Sequence, residues 1–426
     1  MKLELGYIPI TDIEFAERSY VEGSTLYVSK EELSDVLLQD ENISSVSFAI
    51  ALPGDKTRIT PVKDVIEPRV KVEGKGGMFP GVLSKVDIVG SGRTHVLKGA
   101  AVVTTGKIVG FQEGIIDMSG PGAEYTPFSK TCNLVLVITP KEGVVQHEHE
   151  HTVRMAGLRA AAYLGELARE LEPETIETYE FLPLLESIER YPDLPRVGYV
   201  KMLQSQGLLH DTYVYGVDAK RTLPTLISPT EVMDGAIISG NCVSACDKNP
   251  TYVHQNNPIV HDLFKRHGKD LNFCAMIITN ENVYLADKIR SSDRTAEICG
   301  YLKLDGVIIS EEGFGNPDTD LMMNCRKISD KGIKTVVITD EYAGRDGSSQ
   351  SLADADPSCD ALVTGGNANE VITLPKMDKV IGTEAYVGII AGGWDKNKAE
   401  DGTIQVELQA ITGATSEVGF GYLSAR

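Results

Sequence analysis

The apolar positions of this chain change their spacing twice. From residue 1 to about 140 they fall in short β-branched runs broken by glycine and proline, among them "TLYVS", "SSVSFAIAL", "RITPV", "RVKVEG", "HVLKGAAVVTTGKIVGF" and "NLVLVITP". Period-two alternation with such punctuation predicts a β-rich region, with "EELSDVLLQD" as one short helix inside it. Between 147 and 172 the step lengthens. Val153, Ala156, Ala160, Leu164, Leu167 and Leu171 recur at three- and four-residue intervals, which predicts an amphipathic helix.

Beyond residue 255 strands and helices alternate. Asn257 and Pro258 are placed as N-cap and first helical residue of "IVHDLFKRH", and Gly268 is placed to end it. A strand "FCAMIITN" follows, then a helix "RTAEICGYLKL" that Asp293 can cap, then a strand "GVIIS". Asn316 with Pro317 opens a helix over "DTDLMMNCRKISDK" that Gly332 closes, and "KTVVITDE" and "CDALVTGG" read as further strands. This alternation predicts right-handed crossovers and a parallel sheet covered on both faces. The expected fold is therefore α/β and β: a β-rich N-terminal region followed by a doubly wound, mainly parallel α/β C-terminal region. The boundaries are 1–140 for the β-rich domain, 141–241 for a mixed helical and α/β segment, and 242–426 for the α/β domain.

Length supports more than one core, since a single core stops growing at roughly 250–300 residues and this chain has 426. A hydrophobic share of 42% with 24% charged residues is the balance of a folded globular protein. The net charge of -20, from 41 basic and 61 acidic residues, argues against a nucleic-acid partner, which demands a Lys/Arg stripe. The start, "MKLELGYIPITD", has neither a signal-peptide core nor a membrane span, so a cytoplasmic protein without membrane contact is expected. Seven cysteines, at 132, 242, 246, 274, 299, 325 and 359, show no disulfide framework and are expected to be mostly reduced and buried.

Three motifs invite chemistry. "HEHEH" matches H-E-x-x-H: His147 and His151 at i and i+4 can share a zinc ion while Glu148 activates water, which makes a zinc hydrolase one reading. A solvated helix entrance with acidic residues near the dipole is the other. "TGGNANE", at 364–370, follows a strand and can present amides to an anion, or form a plain tight loop. The third is "AIISGNCVSACDKNP", 236–250, which admits four readings: a Cys242/Cys246 redox pair, a metal clip, a turn with two core cysteines, or a bond meant to be cut. For the last, the Cys242 thiol attacks the Asn241 carbonyl through a five-membered ring, in a local conformation that Gly240 permits. β-Elimination from the resulting thioester separates the chain and leaves dehydroalanine, whose imine tautomer hydrolyses to a ketone, an N-terminal pyruvoyl group. Cyclisation of Asn241 to succinimide would cut the same bond but leave an intact cysteine. His254 and Asp247 are placed to donate or accept protons here, with a structural role as the alternative, and Tyr252 is placed to pack.

The string "SGNCVSACDKNPTYVHQNNP" (239–258) resembles the processing site of the proprotein for the two smaller subunits of component B in glycine, sarcosine and betaine reductases. The resemblance spans the chain, through "RITPVKDVIEPRVKVEG" from Arg58, "GSGRTHVLKGAAVV" from Gly90, "FQEGIIDMSGPGAEYTPFSK" from Phe111, "QGLLHDTYVYGVDAK" from Gln206, "ITNENVYLADK" from Ile278, "SEEGFGNPD" from Ser310 and "TDEYAGRDGSSQSLADADP" from Thr339. It implies cleavage between Asn241 and Cys242, with Cys242 becoming the pyruvoyl group that holds the substrate amine as a Schiff base. It also implies partners: a larger selenoprotein subunit whose selenol attacks the substrate carbon, selenoprotein A, and component C, which together yield acetyl phosphate with thioredoxin as reductant. Glycine and sarcosine carry amines able to condense with a carbonyl. Betaine's quaternary nitrogen cannot, which makes it the least natural substrate for this chemistry. A D-proline reductase proprotein is a more distant relative of the same kind, and a noncatalytic assembly subunit is the reading of another class.

Overall fold

The computed structural model describes residues 1–110, 112–207, 209, 212–240 and 245–415, with the backbone of 424–425. Asn241 and Cys242 lie outside the described residues. The N-terminal part is β-rich, as its period-two runs require. Strand β1 (Lys2–Pro9) opens it, helix α1 (Lys30–Leu37) follows, and Ser29 caps that helix by accepting from the Glu32 N–H. Strands β2 (Ile43–Ala51), β3 (Thr57–Val62), β4 (Asp64–Ile66), β5 (Gly92–Lys98), β6 (Ala100–Gly106), β7 (Gly114–Asp117) and β8 (Cys132–Pro140) complete its frame. One sheet has the order β2-β8-β6-β4, and helix α2 (Gln146–Glu166) lies against its β6 and β4 side. A second sheet pairs β1 with β5 between strands 69–71 and 175–180.

The second part is a mixed sheet whose core is parallel. Strand β9 (Arg196–Leu203) comes first, and strand β10 (Ile237–Ser239) then leads into the Gly240 junction. After the junction come α3 (Thr251–Gln255), α4 (Pro258–Arg266), β11 (Asn272–Asn280), α5 (Leu285–Tyr301), β12 (Gly306–Ser310), α6 (Asn316–Ser329), β13 (Lys334–Glu341), β14 (Ala361–Asn367) and β15 (Lys379–Gly382). The parallel strands stand in the order β11-β9-β12-β13-β14. Val200, Met202, Ile277, Ile309 and Val337 pack with Cys299, Leu321 and Cys325 of α5 and α6. Tyr199, Leu203, Phe273 and Met276 pack with Val260 and Leu263 of α4. Strand β9, from before residue 241, therefore sits hydrogen-bonded between β11 and β12, from after it. A second pairing across the junction joins β3 to β15, with β7 on the other edge of β3.

Three local expectations are corrected. The run that begins at His95 is split between β5 and β6, because Gly99 turns the chain at φ 95. Asp293 is not a cap: α5 begins eight residues earlier, at Leu285, and Asp293 pairs with Lys327 from within the helix. The buried face of that first half carries Lys288, Ser291 and Ser292, polar residues that hide the apolar period. Gly315, not Asn316, is the N-cap of α6, and Asp318 Oδ1 accepts from the Gly315 N–H at 2.8 Å. By contrast Asn257 does cap α4, accepting from the Val260 N–H at 3.0 Å. Cys132, Cys246, Cys274, Cys299 and Cys325 are buried free thiols, and Cys359 is a half-buried one. No described helix is long and apolar enough to cross a membrane.

Candidate functional site

The two described residues that flank the junction, Gly240 and Ala245, are both buried. On the upstream side, the Ser239 N–H donates to Thr251 Oγ1 at 3.1 Å, and Thr251 donates its own N–H and hydroxyl to the two oxygens of Asp64 at 2.9 and 2.7 Å. Asp64 thus caps the entry to α3 from the N-terminal part. Downstream, Ala245 O accepts from the Gly413 N–H at 2.8 Å, and Gly114 touches Ala245 so closely that a Cβ there would stand 2.3 Å from the Ala245 Cβ. The stretch after the junction is held between the start of β7 and residues 410–415.

The parallel strands deliver acids to this place. Glu281 follows β11, Glu311 and Glu312 follow β12, and Asp340 and Glu341 end β13. Ligands of open α/β sheets bind at these carboxyl ends. Asp340 Oδ2 accepts from the Thr415 hydroxyl at 2.8 Å, and the Tyr342 hydroxyl donates to Asp247 Oδ2 at 3.2 Å. Burial first, and then the neighbouring carboxylates, push the Asp340 carboxyl up to about 7 and hold Asp247 well above the usual carboxylate range. Burial and the mutual repulsion of the two carboxylates thus favour the protonated form of the pair. Cys246 Sγ lies 3.7 Å from the Tyr342 hydroxyl, and burial beside the two acids keeps it a thiol, which disfavours its use as a redox partner. Cys246 Sγ and one oxygen from each of Asp247 and Asp340 lie within 4.8 Å of one another, the donor set among the described residues best disposed to take a cation.

His254 is fully buried, its Nε2 3.2 Å from Glu312 Oε1. Burial first, with the Lys201 and Lys248 ammonium groups behind it, holds the ring well below its ordinary pKa, so it is neutral. Glu312 itself accepts from Asn249 Nδ2 at 2.8 Å, the Gln204 N–H at 2.8 Å and the Thr212 hydroxyl at 2.9 Å. The fold thus brings both anticipated proton carriers, His254 and Asp247, into one buried acidic region. Asp340, Glu311 and Glu312 were missed from sequence. Their signal was an acid directly after a β-branched run, in "VVITDE" and "VIISEE". Tyr252 packs edge-on against Phe128, with ring centroids 5.4 Å apart.

The "HEHEH" segment divides by helical phase. His147, Glu148 and His151 are exposed on the first turns of α2, where Glu148 Oε1 accepts from Asn42 Nδ2 at 3.3 Å and His151 Nδ1 lies 3.2 Å from Arg154 Nη2. His149 and Glu150 point inward, and Glu150 pairs with Arg154 at 2.9 Å.

This geometry is one that sequence comparison places in context. The whole chain, residues 1–426, matches the family described as glycine/sarcosine/betaine reductase component B subunits. It belongs to that family. The glycine reductase complex component B subunits alpha and beta of Acetoanaerobium sticklandii are 66% identical over the full length of both chains. The sarcosine reductase complex component B subunit alpha of Peptoclostridium acidaminophilum is 57% identical over the full length of both, and the betaine reductase counterpart from the same organism is 40% identical over 99% of this chain and 98% of its own. A D-proline reductase proprotein of A. sticklandii is 22% identical over 78% of this chain and 54% of its own length. No solved structure matches the chain. As a member of the reductase component B family the chain has an amine-reductase role.

Proposed function

We propose that this chain is a proprotein that cuts itself between Asn241 and Cys242 and that the piece 242–426 then carries a pyruvoyl group as the amine-holding centre of a glycine reductase. Identity favours glycine, at 66% against 57% for the sarcosine and 40% for the betaine relative. The name of the glycine relative, one chain covering subunits alpha and beta, suits a chain that becomes two. We read the 196–367 sheet as doubly wound and the protein as cytoplasmic. Its partners would be the selenoprotein subunit of component B, selenoprotein A and component C, with thioredoxin as the source of electrons.

The observation that carries this reading is the pair Asp247 and Asp340, clustered and fully buried beside the segment that follows the junction, where burial raises both carboxyls. The residues present fit a small electrophile at position 242. Gly240 and Ala245 are both buried, and Asp247 Oδ1 and Asp340 Oδ1 are buried without a hydrogen-bond partner among the described residues. A pyruvoyl carbonyl supplies an electron sink for the bond between a substrate's amine nitrogen and its carbon. The acid pair is suited to protonate the nitrogen that leaves, first in cleavage and then in turnover. Neutral His254, next to Glu312, is suited to accept a proton rather than give one. The burial of these groups excludes water from the centre.

The test is the intact mass of purified protein under denaturing conditions. Two chains, 1–241 and 242–426, with the second lacking a free cysteine terminus, are expected. Cys242→Ala should give one chain. Persistent cleavage in that variant would remove Cys242 from the chemistry.

A further inference from the structure

Three buried polar groups near the junction take no part in the chemistry above. Lys63, between β3 and β4, is 2% exposed, and its Nζ has no hydrogen-bond partner among the described residues. Glu113 precedes β7. In the antiparallel β3–β7 pair Gly114 stands opposite Val62, so Glu113 and Lys63 are the next neighbours along the two strands. Glu113 Oε1 accepts from the Val109 and Gly110 N–H groups at 2.5 and 3.0 Å, while its Oε2, also buried, accepts from nothing described. His149 of α2, the inward member of "HEHEH", is 2% exposed with an unpartnered Nε2. The field of Lys63 reaches it and, with burial as the larger cause, holds its ring neutral, down to about 4.

The cluster adjoins the stretch that follows the junction. Lys248 Nζ donates to Lys63 O, and Gly114, next to Glu113, touches Ala245. An ammonium buried without a partner is costly, and native interiors pair such groups with a ligand or water. Lys63 senses one carboxylate, Glu113, and one further ammonium, Lys248, while Asp64 has its oxygens engaged by Thr251 and the Val65 N–H. The unmet demand at Lys63 is for an anion.

We propose that Lys63 binds the carboxylate of the amino-acid substrate, with His149 Nε2 as a second contact and Glu113 holding the ammonium in position. This rests on the reading that the amine end is taken at position 242. It restricts the substrate class to small amines that also carry a carboxylate, and it gives His149, on the buried side of "HEHEH", a binding role.

The test is calorimetric binding of glycine, glycinamide and acetate to the full-length protein, as wild type, Lys63→Met, Lys63→Gln and Lys63→Arg. Loss of a charge-assisted contact should weaken glycine about 10- to 100-fold in the Met and Gln variants. Arg should restore part of it, acetate should compete with glycine in the wild type, and glycinamide should bind weakly throughout. Met and Gln leave buried Glu113 without its neighbouring ammonium and cost stability, so thermal melts on the same samples, with Lys63→Arg keeping the charge, separate lost binding from a lost fold. Wild-type affinity for glycine in Lys63→Met and Lys63→Gln, equal affinity of the wild type for glycinamide, or no glycine binding by the wild type would each overturn the assignment. Intact masses taken on the same samples separate the two ideas. A cleaved, modified protein indifferent to Lys63 removes only the carboxylate site, whereas an uncleaved chain whose glycine binding needs Lys63 removes only the pyruvoyl reading.

Discussion

Cutting the chain at 241/242 should not release two proteins. Strand β9 belongs to the piece 1–241 yet is paired on one edge with β11 and on the other with β12, both from 242–426. Val200, Met202, Leu203, Ile59, Met276, Ile309 and Ile381 are all buried where the two pieces meet through β9 and through β3 with β15. At roughly 1.5–3 kcal/mol each, these side chains contribute about 10–21 kcal/mol. The ladder bonds of β9, a strand of 8 residues, add roughly 8 kcal/mol at about 1 kcal/mol net apiece. Association costs about 4–15 kcal/mol in lost freedom. Central values leave roughly 14 kcal/mol, well past the ~8 kcal/mol of a micromolar complex. Processed protein diluted to about 100 nM and passed over a sizing column in native buffer should elute as one body containing both chains, which separate only in denaturant. Two native peaks would refute the reasoning and with it the placement of β9.

Other outcomes follow from single groups. Asp340 is raised from 3.8 to about 7 in the fold, so its stabilising contribution is complete below about pH 4 and is lost as pH rises through 7. Asp340→Asn should therefore flatten the fall in thermal stability between pH 5 and 8, by on the order of 2–4 kcal/mol at the alkaline end. An unchanged pH profile would place the retained proton elsewhere. Gly114→Ala puts a Cβ 2.3 Å from the Ala245 Cβ, which should cost on the order of 1–3 kcal/mol and lower the cleaved fraction seen on a denaturing gel. Arg58 is fully buried, bidentate to Asp117 at 2.7 and 2.8 Å and bonded to Glu384 at 2.9 Å across the two pieces. Arg58→Met leaves buried Asp117 unpaired and Glu384 with Lys398 alone, and should lower urea stability by about 3–5 kcal/mol.

The C-terminal strands were legible because "FCAMIITN", "GVIIS" and "KTVVITDE" are unbroken apolar runs of the kind a sheet buried on both faces needs. Strand β9 was not, because "RVGYVKML" carries a glycine and a lysine in its middle. Lys201 is nonetheless fully buried, and Gly198 sits where a Cβ would meet Leu304 at 2.5 Å. The junction residues stood out through a long resemblance and a known reactivity of cysteine. Asp247 stood out with them by its nearness in sequence, but Glu281, Glu312 and Asp340 did not, since they meet only when parallel strands align their ends. In "HEHEH" the i, i+4 pair drew attention to the exposed side of the helix. The side that faces the sheet is His149 and Glu150, which a phase set by Val153, Ala156 and Ala160 already implied.

The most direct measurement of the central claim is to treat the purified protein with isotopically labelled glycine and borohydride and then map the label by peptide mass. The account predicts a reduced glycine adduct on residue 242, as the first residue of the 242–426 piece. An unlabelled chain running through an intact Asn241–Cys242 bond, with its thiol free, would contradict it.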